Sequence, residues 1–338
     1  MTTYSQFKLA AVQAAPVYFD REASTEKACK LIQEAGAKGA TLAAFGECWL
    51  PGYPFHVWGA RATVEAVAPE YLANAVDIPS PTIEQLCDAV RRANIDVVIG
   101  VAERDARSRG TVYCTLLFIG NDGAILGRHR KLKPTHRERT AWGEGDGSSL
   151  VVYERPYGRI SGLNCWEHNM VLPGYTLMDQ GTQIHIAAWP GMDASRHSFL
   201  SRAFASQSAA YVIDVGAILA PDHVTGVARK VVEEQTGEVA ERVAKGYPGE
   251  SSIIDPQGEI IAGPVEGEQI LIADCSEEQI FAAKASCDVT GHYSRPDVFQ
   301  LHVNRAPHRR VVEMQEPKHE TTESEDVSVK TSGPELHI

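Results

Sequence analysis

Three side chains far apart in the chain have the chemistry of a nucleophilic hydrolase. Cys165 closes the apolar run "RISGLN" and leads at once into "GLNCWEH" (162–168), Glu47 follows "TLAAFG", and Lys131 follows "AILGRHR". A thiolate is a strong, soft nucleophile for an electrophilic carbon, a carboxylate can take the thiol proton, and an ammonium can face the negative charge that develops. A helix N-terminus after Cys165 would stabilise the thiolate and offer backbone N–H groups to an anion. In open α/β sheets, ligands bind beyond the carboxyl ends of strands, so the three would meet at one rim if their strands are parallel neighbours.

Each residue also has an ordinary reading. Cys29 and Cys87 lie on helical stripes and read as small core hydrophobes, and by position alone Cys165 could be a third. Cys48 beside Glu47 is the rival nucleophile, blunted by the adjacent carboxylate. Lys131 lies in "GRHRKLKPTHRER", most of whose charges read as a solvated face, with one lysine turned inward toward Glu47. His168 invites a papain-like Cys–His pairing, but thiol proteases place that histidine far away in sequence.

The elements that must position these residues follow from periodicity. Ala28, Leu31, Ile32 and Ala35 make a helical stripe over 22–38, and Ser80-Pro81 open a second helix over 80–94. "ATLAAF", "DVVIGVA", "TVYCTLLFI", "GAILGRH", "SLVVYE", "GRISGLN", "QIHIAAW", "YVIDVGAI", "SSIID", "EIIAG" and "QILIAD" read as strands. Further helices are expected near 171–180 and 196–210, and a Ser276–Gln279 capping box opens a last one to about 286. Residues 50–78, rich in Pro, Gly and aromatics, read as an ordered functional loop. The alternation indicates an α/β protein with hairpins adding antiparallel pairs. The polar, aperiodic stretch from 308 reads as a mobile tail, so one domain over 1–305 and a tail over 306–338 are expected.

Composition narrows the function. With 43% hydrophobic and 22% charged residues in 338, the chain suits a folded soluble protein. A net charge of −12 argues against nucleic acid as partner. No apolar run is long enough for a membrane span, and the N-terminal segment, interrupted by Gln13, reads as a first strand rather than a signal peptide. Seven cysteines without a C-x-x-C pair suggest neither a disulfide framework nor a zinc ribbon; reduced thiols in a cytoplasm are the simpler expectation.

Taken together, "AAFGECWLPGYP", "HRKLKPTHRERTAWGEGDG", "LNCWEHNM", "QIHIAAWPG" and "GHYSRPD" resemble, in order, the signature segments of the nitrilases within the carbon–nitrogen hydrolase superfamily. The resemblance covers roughly residues 7 to 305. It implies a four-layer αββα sandwich, a catalytic Glu47–Lys131–Cys165 set, and Glu138 as a second acid that positions substrate or lysine. It implies no cofactor and no metal, a small-molecule nitrile as substrate, and a homo-oligomer, dimeric or a larger spiral. Tyr53, Trp166 and Trp189 are the expected substrate-contacting residues, with Phe55 and Trp58 as further aromatics. The loop "PGYPFHVWGA" looks like that of nitrilases acting on arylacetonitriles or other organic nitriles. The competing readings are an amidase or cyanide-degrading relative, a non-catalytic assembling scaffold, and a redox-sensing thiol protein built on Cys165.

Overall fold

The computed structural model describes residues 3–191, 194–219, 221–224 and 244–312, with single residues between 225 and 243. The described residues up to Pro307 form one compact unit. Beyond 312, the expected tail lies outside the described residues.

Two six-stranded mixed sheets form the interior. The first contains β1 (Gln6–Gln13), β2 (Leu42–Phe45), β3 (Asp96–Arg104), β4 (Val112–Ile119), β5 (Ile125–Arg130) and β12 (Gln269–Ser276), in the order β12-β1-β2-β3-β4-β5. The second contains β6 (Tyr153–Arg155), β7 (Gly158–Asn164), β8 (Ile184–Trp189), β9 (Tyr211–Gly216), β10 (Ser252–Ile254) and β11 (Ile260–Ala262), in the order β11-β10-β9-β8-β7-β6. In each sheet three central strands are parallel, β1-β2-β3 and β7-β8-β9, and the flanking strands are antiparallel.

The period of two along each strand sorts side chains into layers. Leu9, Ala11, Leu42, Ala44, Leu116 and Phe118 meet Ile160, Ile184, Ile186 and Ile213 between the sheets. On the opposite face of the first sheet, Ala10, Val12, Ala43, Phe45 and Val97 pack with Ala28, Ile32, Ile83, Leu86 and Val90 of α1 (Arg21–Ala37) and α3 (Pro81–Ala93). Ala187 and Val212 of the second sheet face Phe204 and Ala205 of α5 (Ala194–Ser208), while Leu163 packs on Leu177 of α4 (Val171–Asp179). The result is the four-layer αββα sandwich.

Local caps open α1 and α3, the expected Ser80–Pro81 pair among them. Asp20 accepts from Ala23 N–H at 2.9 Å to open α1, and Ser80 accepts from Ile83 N–H to open α3, where Pro81 gives up no hydrogen bond in the first turn. The Ser276–Gln279 box is not closed. Ser276 does cap the helix Glu277–Ser286, accepting from Glu278 N–H at 3.2 Å, but Gln279 turns instead to the Tyr211 hydroxyl, which donates to its Oε1 and accepts from Ser276 N–H.

Two other expectations change. The segment 50–78 is not all loop: it holds a short 3-10 turn, Phe55–Trp58, and the helix α2 (Arg61–Asn74). Pro69 inside α2 and a contact face of only Val67 and Tyr71 erase the apolar stripe that would have revealed it. The strand expected over "SLVVYE" shrinks to Tyr153–Arg155, because Gly147–Ser149 form a 3-10 turn instead.

Ile186 is fully buried at the centre of the inter-sheet layer. Ile186→Ala is expected to cost about 2–5 kcal/mol, read from the denaturant midpoint. A loss well under 1 kcal/mol would mean that the layer is not the tightly packed core of the fold.

Candidate active site

The expected rim of neighbouring parallel strands does not exist. Glu47 and Lys131 end β2 and β5 of one sheet, with β3 and β4 between them, and Cys165 ends β7 of the other. They still meet, because two antiparallel pairings in succession return β5 to the direction of β2. The site is therefore assembled across the sandwich, between the two sheets.

Local structure fixes each arrival. At Gly46 a Cβ would lie 2.7 Å from Ala217 N and 2.9 Å from Trp189 O, so a side chain here would push the two sheets apart. That closeness lets Glu47 N–H donate to Trp189 O at 3.1 Å. Lys131 extends the β4–β5 ladder by one bond, its N–H reaching Cys114 O at 2.8 Å. Cys165 opens the five-residue 3-10 turn Cys165–Asn169 with φ 52°. That left-handed conformation is uncommon for a side chain other than glycine and is held by its surroundings.

One carboxylate does much of that holding. Glu167 accepts from Asn164 N–H at 2.8 Å, from Leu132 N–H at 2.7 Å, and from His129 Nε2 at 3.1 Å. It thus grips the residue before Cys165 and residues on both sides of Lys131. Burial would raise the Glu167 carboxyl, but the His129 imidazole and the backbone donors outweigh it and lower it. The sequence offered Glu167 at the third position of the turn, beside Cys165, yet nothing local revealed its distant partners.

At the centre, the Lys131 ammonium donates to Glu47 Oε1 at 2.6 Å and to Glu138 Oε2 at 2.8 Å. All three side chains are buried. Glu138 is fixed in turn by Thr135 N–H at 2.7 Å and by the Tyr53 hydroxyl, which donates to Oε1 at 2.8 Å. One oxygen each of Glu47 and Glu138 and the Cys165 sulfur lie within 4.8 Å of one another. A metal could sit among such atoms, but the lysine already supplies the cation that joins the two carboxylates. Glu47 Oε2 is buried without a hydrogen-bond partner.

Burial raises Glu47 from the usual 4.5 to about 7; Lys131 opposes the rise and Glu138 adds to it. Burial also disfavours a charged Lys131, but the charges of Glu47, Cys165 and Glu138 more than offset it, so the lysine is held cationic. The Cys165 thiol is pushed well above its usual 9, first by burial and then by Glu47, although Lys131 and the Trp166 N–H pull it down. The expectation of a thiolate stabilised by a helix N-terminus is thus corrected. The turn is too short to act as a helix, and the resting group is a neutral thiol beside a carboxylate.

The other candidates fall into place around this centre. Tyr53 spends its hydroxyl on Glu138 and sets its ring edge-on to Trp142. Trp166 offers the sulfur its backbone N–H, while its side chain packs partly buried against the cluster around Cys165. Trp189 is fully buried, with both His168 and His197 stacked on its ring, so it is not open to a ligand. Phe55 stacks on Phe19, and Trp58 donates its indole N–H to the Tyr53 hydroxyl at 3.3 Å. His168 is no partner for the thiol: its Nδ1 bonds the Cys165 carbonyl at 2.7 Å and its Nε2 meets His185. Cys48 turns to the Tyr71 hydroxyl at 3.2 Å. Cys114, hidden in the uniformly apolar "TVYCTLLFI", donates to Glu47 Oε1 at 3.4 Å, a contact that no local pattern signals.

Comparison with known proteins bears on this geometry. Residues 8–285 match the model of the carbon-nitrogen hydrolase family. The chain is 52% identical over 318 residues to "Nitrilase 2" from an unknown prokaryotic organism, covering 92% of this chain and 97% of that one. It is 38% identical over 313 residues to an aliphatic nitrilase of Rhodococcus rhodochrous, covering 88% and 83%. Among solved structures it resembles Saccharomyces cerevisiae Nit3, a member of branch 10 of the nitrilase superfamily, with a TM-score of 0.67 at 20% identity, covering 85% and 96%.

A neutral resting thiol is directly testable. The ultraviolet thiolate absorbance that distinguishes the protein from its Cys165→Ala variant should stay flat from neutral pH through pH 9. A titration step below that value, lost in the variant, would contradict the electrostatics described.

Proposed function

This chain belongs to the carbon–nitrogen hydrolase family, and from that premise we propose that it hydrolyses an organic nitrile to the carboxylic acid and ammonia, with Cys165 as nucleophile, Glu47 as general base and Lys131 as electrostatic stabiliser. It is a hydrolase acting on carbon–nitrogen bonds. The observation that carries the reading is the division of labour at Glu47. Lys131 holds Oε1, while Oε2 is buried without a partner, in a carboxylate that stands close to the sulfur.

The reaction balances on these groups. Glu47 takes the thiol proton as sulfur attacks the nitrile carbon, and the proton passes to nitrogen, giving a thioimidate. Lys131 and the Trp166 N–H face the charge that builds during attack. Glu47 next takes a proton from water, whose oxygen adds to the same carbon. The C–N bond breaks, ammonia leaves with the transferred protons, and a thioester remains. A second water, activated in the same way, adds to the thioester; the C–S bond breaks, the sulfur regains a proton from Glu47, and the acid departs. Glu138 holds Lys131 and keeps Glu47 basic by like-charge proximity.

A nitrile is preferred as substrate because relatives named nitrilases align over most of the chain. A homo-oligomer accompanies this reading. Val171 and Leu172 of α4 and Phe199 of α5 expose 76%, 61% and 57% of their surface, apolar area that suits burial against a second copy of the chain. All seven cysteines are free thiols, which supports a reducing, cytoplasmic setting.

With a nitrile panel, Cys165→Ala should fold and release no ammonia, and the parent should carry a transient covalent adduct on the Cys165 peptide by mass spectrometry. Turnover at the parent rate in the variant would refute the nucleophile; release of ammonia from amides alone would make the enzyme an amidase. Because Glu47 must be ionised to accept the proton and stands near 7, kcat/KM should fall about tenfold per pH unit below that value. Glu47→Gln should abolish turnover.

A further inference from the structure

Behind Glu47 lie two cysteines that the proposed chemistry does not use. Cys114 stands on the face of β4 that carries Leu116 and Phe118 into the inter-sheet layer. It serves the site twice: its carbonyl accepts the Lys131 N–H at 2.8 Å, and its thiol donates to Glu47 Oε1 at 3.4 Å. The Cys48 thiol neighbours that of Cys114 in the same buried cluster. Cys48 in turn lies 3.2 Å from the Tyr71 hydroxyl, which accepts from Trp142 Nε1 at 2.9 Å. All five side chains are buried.

Both ends of this chain have a fixed direction. An indole N–H can only donate and a carboxylate can only accept. At the two ends Trp142 therefore donates to Tyr71 and Cys114 donates to Glu47, while between Tyr71 and Cys48 either group can be the donor.

We propose that Cys114 is a positioning residue for the general base: its thiol, oriented by Cys48 and Tyr71, holds Glu47 Oε1 and stabilises the ionised carboxylate, leaving Oε2 as the oxygen that receives the Cys165 proton. The assignment rests on the reading of Glu47 as base. A thiol suits the position because it is a weak donor, able to orient the carboxylate without stripping its basicity. Burial raises Glu47, and the donors Lys131 and Cys114 restrain that rise. The other ionisable groups facing Glu47 are Glu138, Cys165 and Tyr53, and substitution at 114 leaves all of them in place.

The test is the acid limb of kcat/KM against pH for a nitrile, in the parent, Cys114→Ala, Cys114→Ser and Tyr71→Phe. Loss of the donor in Cys114→Ala should move the limb up by about half a pH unit or more, and the stronger hydroxyl donor of Cys114→Ser should move it down. Tyr71→Phe should move it up by less. A purely structural role would lower kcat without moving the limb, so folded Cys114 variants that keep the parent limb overturn the proposal. A parent with no acid limb, or turnover in Glu47→Gln, would instead sink the general-base reading on which it rests. Should the Cys114 variants not fold, the S–H infrared stretch of the Cys165→Ala protein decides: a band shifting with the protonation of Glu47 supports the chain, and an unshifted spectrum overturns it.

Discussion

The site depends on one buried cation shared by two buried carboxylates. Lys131, Glu47 and Glu138 have no solvent to screen them, and an unpaired charge at that depth would cost several kcal/mol. With one positive and two negative groups in contact, the cheapest proton to gain is on a carboxylate. Burial raises Glu47 to about 7, and its bare Oε2 is free to receive that proton. In the proposed reaction, a carboxylate whose affinity for protons is raised in this way takes the proton of a thiol that burial keeps neutral. The carboxylate and the thiol are thus raised by the same desolvation.

That proximity requires that the three groups arrive from different layers and stay put. Two sheets joined face to face supply the arrival, and Glu167 and the Trp189 carbonyl supply the restraint. Glu167 spans the Cys165 turn and the Lys131 segment, while Trp189 O binds both Glu47 N–H and Ala217 N–H. Trp189 thereby acts as a joint between sheets, its ring stacked against two imidazoles. The glycine at 46 is what permits that joint.

Much of this was legible before any coordinates. The stripes of α1 and α3, the caps Ser80 and Pro81, and most strands were readable because each follows a local period or a local hydrogen bond. Glu47, Lys131 and Cys165 stood out as reactive types at strand ends. What stayed hidden depends on distance or on irregularity. The helix α2 lacks a stripe, and Gln279 is drawn from its capping role by Tyr211, which lies 68 positions away. Cys114 looks like any core cysteine in an apolar strand, and its thiol acquires meaning only because β2 and β4 converge on Lys131. The assembly across two sheets was likewise beyond local pattern, since strand order is set by contacts far apart in the chain.

The central claim, that burial beside Lys131 and Glu138 turns Glu47 into a base working at neutral pH, can be read on the carboxyl group itself. Infrared titration of the carboxylic C=O band that disappears in Glu47→Gln should give a midpoint near 7. A midpoint at the ordinary 4.5 would contradict the account, because Glu47 would then hold its proton too weakly to take one from a buried thiol.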